Sequence, residues 1–314
     1  MNILDFISST LAATVSAGTA MLIASLGAII NEKSGVSNLG VEGMMIVGAI
    51  AGFTAVQATS SLLLGVLAAV LAGAAIALIH SVLCISLKAN QVVSGLALTI
   101  FGVGLANFIG GKYVGVTRAA GFQGMEIPLL SKIPVLGEAF FSQNLLVYLS
   151  ILLVILCWFV FTRTRLGMKL RAVGENPGAA DAAGIHVNAI RYGATLISGA
   201  LCGLGGAYLS LAYNSTWVDT ITAGQGWIAV ALVIFATWKP LRTILGSYLF
   251  GFISILGFRL QALGVNVPIA FFSMLPYIAT VLVLIVVTGR FGGKDRKVVA
   301  APAALSMPYD REAR

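Results

Sequence analysis

Residues 62–87 read LLLGVLAAVLAGAAIALIHSVLCISL, twenty-six residues without an acid, a lysine or an arginine. A helix rises about 1.5 Å per residue, so about 20 apolar residues cross a bilayer's hydrocarbon core. This run is therefore long enough to span. It is also continuous, whereas outer-membrane strands alternate apolar and polar positions, so a helix fits and a barrel strand does not.

Working outward, eight further apolar runs lie at Thr10–Ile30, Val41–Val56, Val92–Gly111, Leu145–Phe161, Tyr192–Tyr213, Trp227–Trp238, Thr243–Phe258 and Ile269–Thr288. Val41–Val56 and Trp227–Trp238 are short and adjoin Gly-rich or polar stretches, the pattern of broken or re-entrant helices buried in protein or lining a cavity. The expected fold is an all-α, polytopic transmembrane bundle of about nine spans (about eight to ten). It occupies residues 1–290, with residues 291–314 as a tail, a loop at 112–144 on one side and a loop at 162–190 on the other.

Composition agrees. Of 314 residues, 59% are hydrophobic and 10% charged, with a mean hydropathy of +0.99. A soluble protein carries roughly 25% charged residues, which excludes a water-soluble enzyme. The 36 glycines show no three-residue period and suit close helix packing. Gly48 and Gly52, and Gly199 and Gly203, form G-x-x-x-G pairs, for which ordinary packing is the plain reading.

If the 162–190 loop faces the cytoplasm, alternation places fifteen of the nineteen basic residues on that side, leaving Lys112, Arg118, Lys132 and Arg259 outside. The positive-inside rule favours this sense, with a cytoplasmic C-terminus. The net charge of +8 then reports topology and contact with anionic membrane lipid, not nucleic acid. Asp5 and the lack of a basic n-region argue against a cleavable signal peptide. Cys84, Cys157 and Cys202 stand singly, as core residues do. His80 and His186 have no partner at metal-ligand spacing. No lysine completes a phosphate-binding G-x-x-x-x-G-K-[ST] loop, so no cofactor is expected on this chain, and any ATP would sit on a partner subunit.

Two polar stretches carry the functional reading. In the first, TRTRLGMKLRAVGENPGAADAAGIHVN (162–188), Leu166, Leu170 and Val173 recur at helical intervals among basic residues, which predicts a short interfacial helix. Gly174, Asn176, Pro177 and Gly178 break it. Asn176 before Pro177 predicts the cap of a second short helix with a small alanine face, ended by Gly184. The plain alternative is a solvated loop that holds positive charge inside. The order Gly174-Glu175-Asn176-Pro177, Ala179-Ala180 and Ala183-Gly184-Ile185 resembles the cytoplasmic coupling loop of ATP-binding cassette (ABC) importer permeases of the branched-chain amino acid and simple sugar class. The resemblance implies that Gly174, Glu175, Asn176, Ala180 and Gly184 contact an ATPase subunit.

In the second stretch, NEKSGVSNLGVEGMMIVG (31–48), Glu42 stands at the mouth of a span among Gly35, Gly40 and Gly43. An acid at that depth usually faces a cavity, a partner or a substrate; capping a helix or pairing with Lys33 is the structural alternative. The run Gly35-Val36-Ser37-Asn38-Leu39-Gly40-Val41-Glu42-Gly43-Met44-Met45 resembles the version in nucleoside-type permeases of the same class and lacks the Gly-Gly-Ile-Asp-Leu-Ser type element of sugar permeases. The resemblance implies a second permease subunit, paralogous to this one, an extracytoplasmic solute-binding lipoprotein, and a multi-pass location in a bacterial inner membrane.

Polar groups inside apolar spans are the candidate solute path: Asn38 and Glu42, then Gln91, Ser94, Asn107 and Gln225, with Phe108 or Trp227 for stacking on a nucleoside base. Two other readings stand beside nucleoside import: a permease of the same class for branched-chain amino acids or sugars, and a secondary transporter driven by an ion gradient through Glu42. No paired carboxylates, Ser/Lys dyad or His cluster suggest an intramembrane enzyme.

Overall fold

The computed structural model describes residues 3–262, 264, 268, 271, 274–282, 285 and 301–312. Every named element among them is helical, and β pairing is limited to three isolated bridges. The helices are α1 (Ile3–Lys33), α2 (Val41–Thr59), α3 (Leu62–Ser81) with a π-helical extension to Ser86, and α4 (Gln91–Gly110). They continue with α5 (Leu136–Phe141), α6 (Leu145–Arg163), α7 (Arg165–Glu175), α8 (Pro177–Ala182) and α9 (Val187–Tyr208) with a π-helical extension to Tyr213. The last are α10 (Gln225–Phe235) and α11 (Pro240–Ala262).

Seven helices among the described residues are long and apolar enough to cross a membrane: α1, α2, α3, α4, α6, α9 and α11. Two of the nine expected runs are not among them. Trp227–Trp238 falls on α10, whose 11 residues rise only about 16 Å. Ile269–Thr288 lies partly outside the described residues; within it residues 274–282 are helical.

Local chemistry starts the spans where the apolar runs begin. The Asn90 side chain accepts from the amides of Val92 and Val93 at the head of α4. Asn144 does the same for Leu146 and Val147 in α6, and Ser61 accepts from Leu64 N in α3. Each satisfies amides that have no partner within the helix.

Packing sorts the spans into a centre and a shell. Within their most apolar windows α1 is 89% buried and α9 83%, whereas α3, α4, α6 and α11 are 28–33% buried. The shell turns Leu71, Ile100 and Leu245 fully outward, which costs nothing against lipid tails. With no hydrophobic drive between helices in lipid, close backbone contact holds the centre, and glycine supplies it. A β-carbon on Gly203 of α9 would overlap the Ala69 carbonyl of α3, and one on Gly206 would overlap the Met45 carbonyl of α2. Gly73 meets Gly199 in the same way, and Gly48 meets Gly203, so the two G-x-x-x-G pairs are packing surfaces.

Gly203→Ala is expected to destabilise the protein by about 1–3 kcal/mol through overpacking. Gly193→Ala, at a site with nothing within 4 Å of the new methyl, is the control. Thermal unfolding in detergent checks both: Gly203→Ala melts lower, and equal melting temperatures would remove the close-packing account.

Candidate functional site

The stretch around Glu42 folds inward. Glu42 is 6% exposed. Its Oε1 accepts from Thr222 Oγ1 at 2.5 Å and Gly224 N at 3.0 Å, and its Oε2 accepts from Gly226 N at 2.7 Å. These donors belong to the entrance of α10, whose N-cap is Gly224 at φ +77° and carries no capping side chain. The carboxylate of α2 thus caps α10 from another helix, pairing amides that otherwise lack partners and placing negative charge at the helix's positive end. Gly226 has no side chain because Glu42 Cα occupies that space. Gln225, between the two bonded glycines, is brought beside Glu42. Helix capping is therefore observed, but of α10 rather than of Glu42's own helix.

Asn38, Gln91 and Ser94 converge on the turn that leads into α2. Asn38 Oδ1 accepts from Gly40 N at 2.7 Å, Gln91 Oε1 accepts from Ser37 N at 2.7 Å, and Thr99 Oγ1 donates to Leu39 O at 2.9 Å. His80, uninformative in the sequence, joins them: its ring nitrogens lie 3.0 Å from Ser94 Oγ and 3.0 Å from Ser37 O. All five side chains are buried. Asn107 stands apart near the far end of α4, and its neighbour Phe108 is 87% exposed.

Gln91 lines a space between the head of α4 and Ser306 and Pro308 of the tail, and Gln225 lines a separate cavity. The latter, about 370 Å³, lies between the segment 213–225, α11 and residues 276–277. Asn214, Gln225 and Gln261 supply amides there, and Tyr213, Phe258 and Tyr277 supply rings. The rings were missed because they come from three separate segments, none with a local motif.

The 162–188 stretch forms two helices as its spacing predicts, with one difference. Gly174 does not break α7; it stays in the helix, buried, where a side chain would strike the Lys33 carbonyl at the end of α1. The break is Asn176 alone. It is the C-cap of α7, with its N–H bonded to Ala172 O at 2.9 Å, and the N-cap of α8, its Oδ1 accepting from Ala179 N at 2.9 Å, with Pro177 in the first turn. Ile185 N returns to Ala180 O and Gly184 takes φ +80°, the left-handed closure that favours glycine. Ala180 points into a cluster with Val173 and Val187, while Glu175, Asn176, Ala179 and Gly184 are exposed.

Replacing Glu42 leaves three donors at α10 without their acceptor, each costing about 1–3 kcal/mol when buried. Glu42→Ala is expected to lower the melting temperature strongly and Glu42→Gln, which keeps one acceptor, less so. Equal, small effects in unfolding measurements would show that α10 does not depend on this cap.

Comparison with known proteins agrees with this architecture. The family described as branched-chain amino acid transport system / permease component matches residues 10–285. A putative glucose ABC transporter permease protein of Haloferax volcanii is 41% identical, covering 98% of this chain and 99% of the relative. The guanosine ABC transporter permease protein NupQ of Bacillus subtilis is 36% identical over 98% of each chain. The nucleoside ABC transporter permease protein NupC of Lactococcus lactis is 34% identical, covering 92% and 95%. No solved structure matches. The chain belongs to this family: it is a multi-pass membrane permease subunit of an ABC transporter of the nucleoside and sugar class, and not itself an enzyme.

Proposed function

We propose that this chain translocates a nucleoside into the cell, driven by a separate ATPase that seats on α7–α8. The observation that carries the coupling role is the shared cap at Asn176. One residue ends α7 and starts α8, setting a short helix that packs Ala180 on the bundle and leaves Ala179, Ala182 and Ala183 exposed. ATP sits on the ATPase, a second permease completes the pore, and a solute-binding lipoprotein delivers solute from outside. The α7–α8 end and residues 301–312 face the cytoplasm, in keeping with the basic residues around α7.

The solute path runs through the cavity beside Gln225. Support comes from the entrance of α10: a helix starting within the bundle, preceded by the non-helical segment 214–224, is the discontinuous type found at transporter binding sites. In this reading segment 214–224 and α10 together make one broken span, and the helix at 274–282 belongs to a ninth. Rings and amides around one space suit a flat base and ribose hydroxyls. Asn38, Gln91 and Ser94 shape the entry of α2, Glu42 holds the helix break, and Asn107 lies outside this cavity.

Two relatives named for guanosine and nucleosides favour nucleosides. A glucose reading is kept because the putative glucose permease is 41% identical. Uptake of labelled guanosine in cells expressing the complete transporter, with unlabelled guanosine or glucose as competitor, separates them. Competition by guanosine alone is expected, and competition by glucose alone would reverse the choice.

Gln225→Leu removes a hydrogen-bonding group worth about 0.5–1.5 kcal/mol and is expected to raise the KM for uptake two- to tenfold, roughly. An unchanged KM would move the path elsewhere. Ala179→Trp places bulk on the exposed face of α8 and is expected to cut uptake at least tenfold, roughly, with the amount of permease in the membrane unchanged. Undiminished uptake would remove α8 from the ATPase contact.

A further inference from the structure

The tail reads APAALSMPYDRE over residues 301–312. Two prolines and mixed charges suit neither a span nor a helix. Instead it lies against the α7–α8 end as a turn at 303–306 followed by a non-helical, bonded segment. Ala304 N donates to Gly174 O at 2.9 Å and Ala303 N to Glu175 Oε2 at 3.3 Å, fastening it to the end of α7. Ser306 N donates to Gly35 O at 3.1 Å, fastening it to the turn before α2. Asp310 pairs with Lys88 of the α3–α4 turn at 2.6 Å, and Arg311 pairs with Asp181 of α8 at 3.2 Å. The Lys88 hydrogen bond holds the Asp310 carboxyl below its ordinary range.

Arg191 of α9 sits at the centre of these contacts, 1% exposed. Its Nη1 donates to Met307 O at 3.0 Å and its Nε to Ser34 O at 3.3 Å. One buried guanidinium thus joins α9, the turn before α2 and the tail. Tyr309 packs on the Val173, Ala180 and Val187 cluster that seats α8, and Ala304 is 5% exposed. A solvated tail would leave these groups in water.

We propose that residues 303–311 form a fixed strap that passes displacement of α8 to the starts of α2 and α4, with Arg191 as its positioning residue. The route continues through contacts already described. The turn before α2 leads to Glu42, Glu42 holds the entrance of α10, and Gln225 at that entrance lines the cavity. Exposed ion pairs are weak alone. Rigidity comes from the main-chain bonds and Arg191, while the two ion pairs set the strap's register. Two sites are coupled when both bias one such linked element.

The inference rests on α8 being the ATPase contact. The test uses the complete transporter and whichever labelled solute, guanosine or glucose, the wild type carries, with membrane abundance and ATP hydrolysis measured beside uptake. Truncation after residue 300, and separately Arg191→Met, are expected to lower uptake at least tenfold, roughly, while ATP hydrolysis continues. Asp310→Lys is expected to lower it about threefold, and adding Lys88→Asp to restore it. Normal uptake in the truncated and Arg191→Met proteins would overturn the strap.

Should those variants fail to reach the membrane, hydrogen exchange on the wild-type complex decides. The amides of Ala304 and Ser306 should be protected, and their protection should change together with α8 when a non-hydrolysable ATP analogue is bound. Unprotected amides, or a change in α8 without one in the tail, would overturn the proposal. If Ala179→Trp leaves uptake intact, the coupling role of α8 fails first; if it abolishes uptake and the strap variants do not, the strap alone fails.

Discussion

A helix that starts inside an apolar bundle has amides that neither its own turns nor water can satisfy, and the Glu42 carboxylate supplies their acceptors. Three hydrogen bonds from Thr222, Gly224 and Gly226 converge on it. Without them α10 could not begin where it does, since an unmet polar group in hydrocarbon costs several kcal/mol. The break in turn positions Gln225 and one wall of the neighbouring cavity. A buried acid is thereby a structural part of the site, acting through the backbone it organises.

The same constraint explains how the centre is built. Lipid tails give helices no hydrophobic reason to associate, so α9 meets α2 and α3 through glycine contacts in which one backbone lies against another. Such contacts tolerate little sliding, because a shift of one residue would put a β-carbon into a carbonyl. The centre is suited to move as a unit, and displacement at one end can reach the other.

At the α7–α8 end, local and distant contacts divide the work. Asn176 sets the angle between α7 and α8 by capping both, which is local chemistry. Their seat on the bundle is distant: Gly174 lies against Lys33, and the tail, from more than a hundred residues later, bonds the end of α7 and lays Tyr309 on the cluster that holds Ala180. The exposed ion pairs add little energy individually but join elements that the chain order keeps apart.

The all-helical class, most span positions, the two short helices of 162–188 and the break between them at Asn176 were legible in the sequence, because run length, capping residues and proline act over a few neighbours. Glu42 was legible as an unusual acid, but its partners lie some 180 residues away. Glycines that read as breakers, such as Gly174, proved to be sites of close approach, since a missing side chain does not reveal what fills its place. His80 and Arg191 looked ordinary until their partners from the turn before α2 and the tail came within reach. Sequence alone determined which segments leave water and, through Asn90, Asn144 and Asn176, where several helices begin. Tertiary structure decided which polar groups answer one another, because in a bilayer those partners come from other helices.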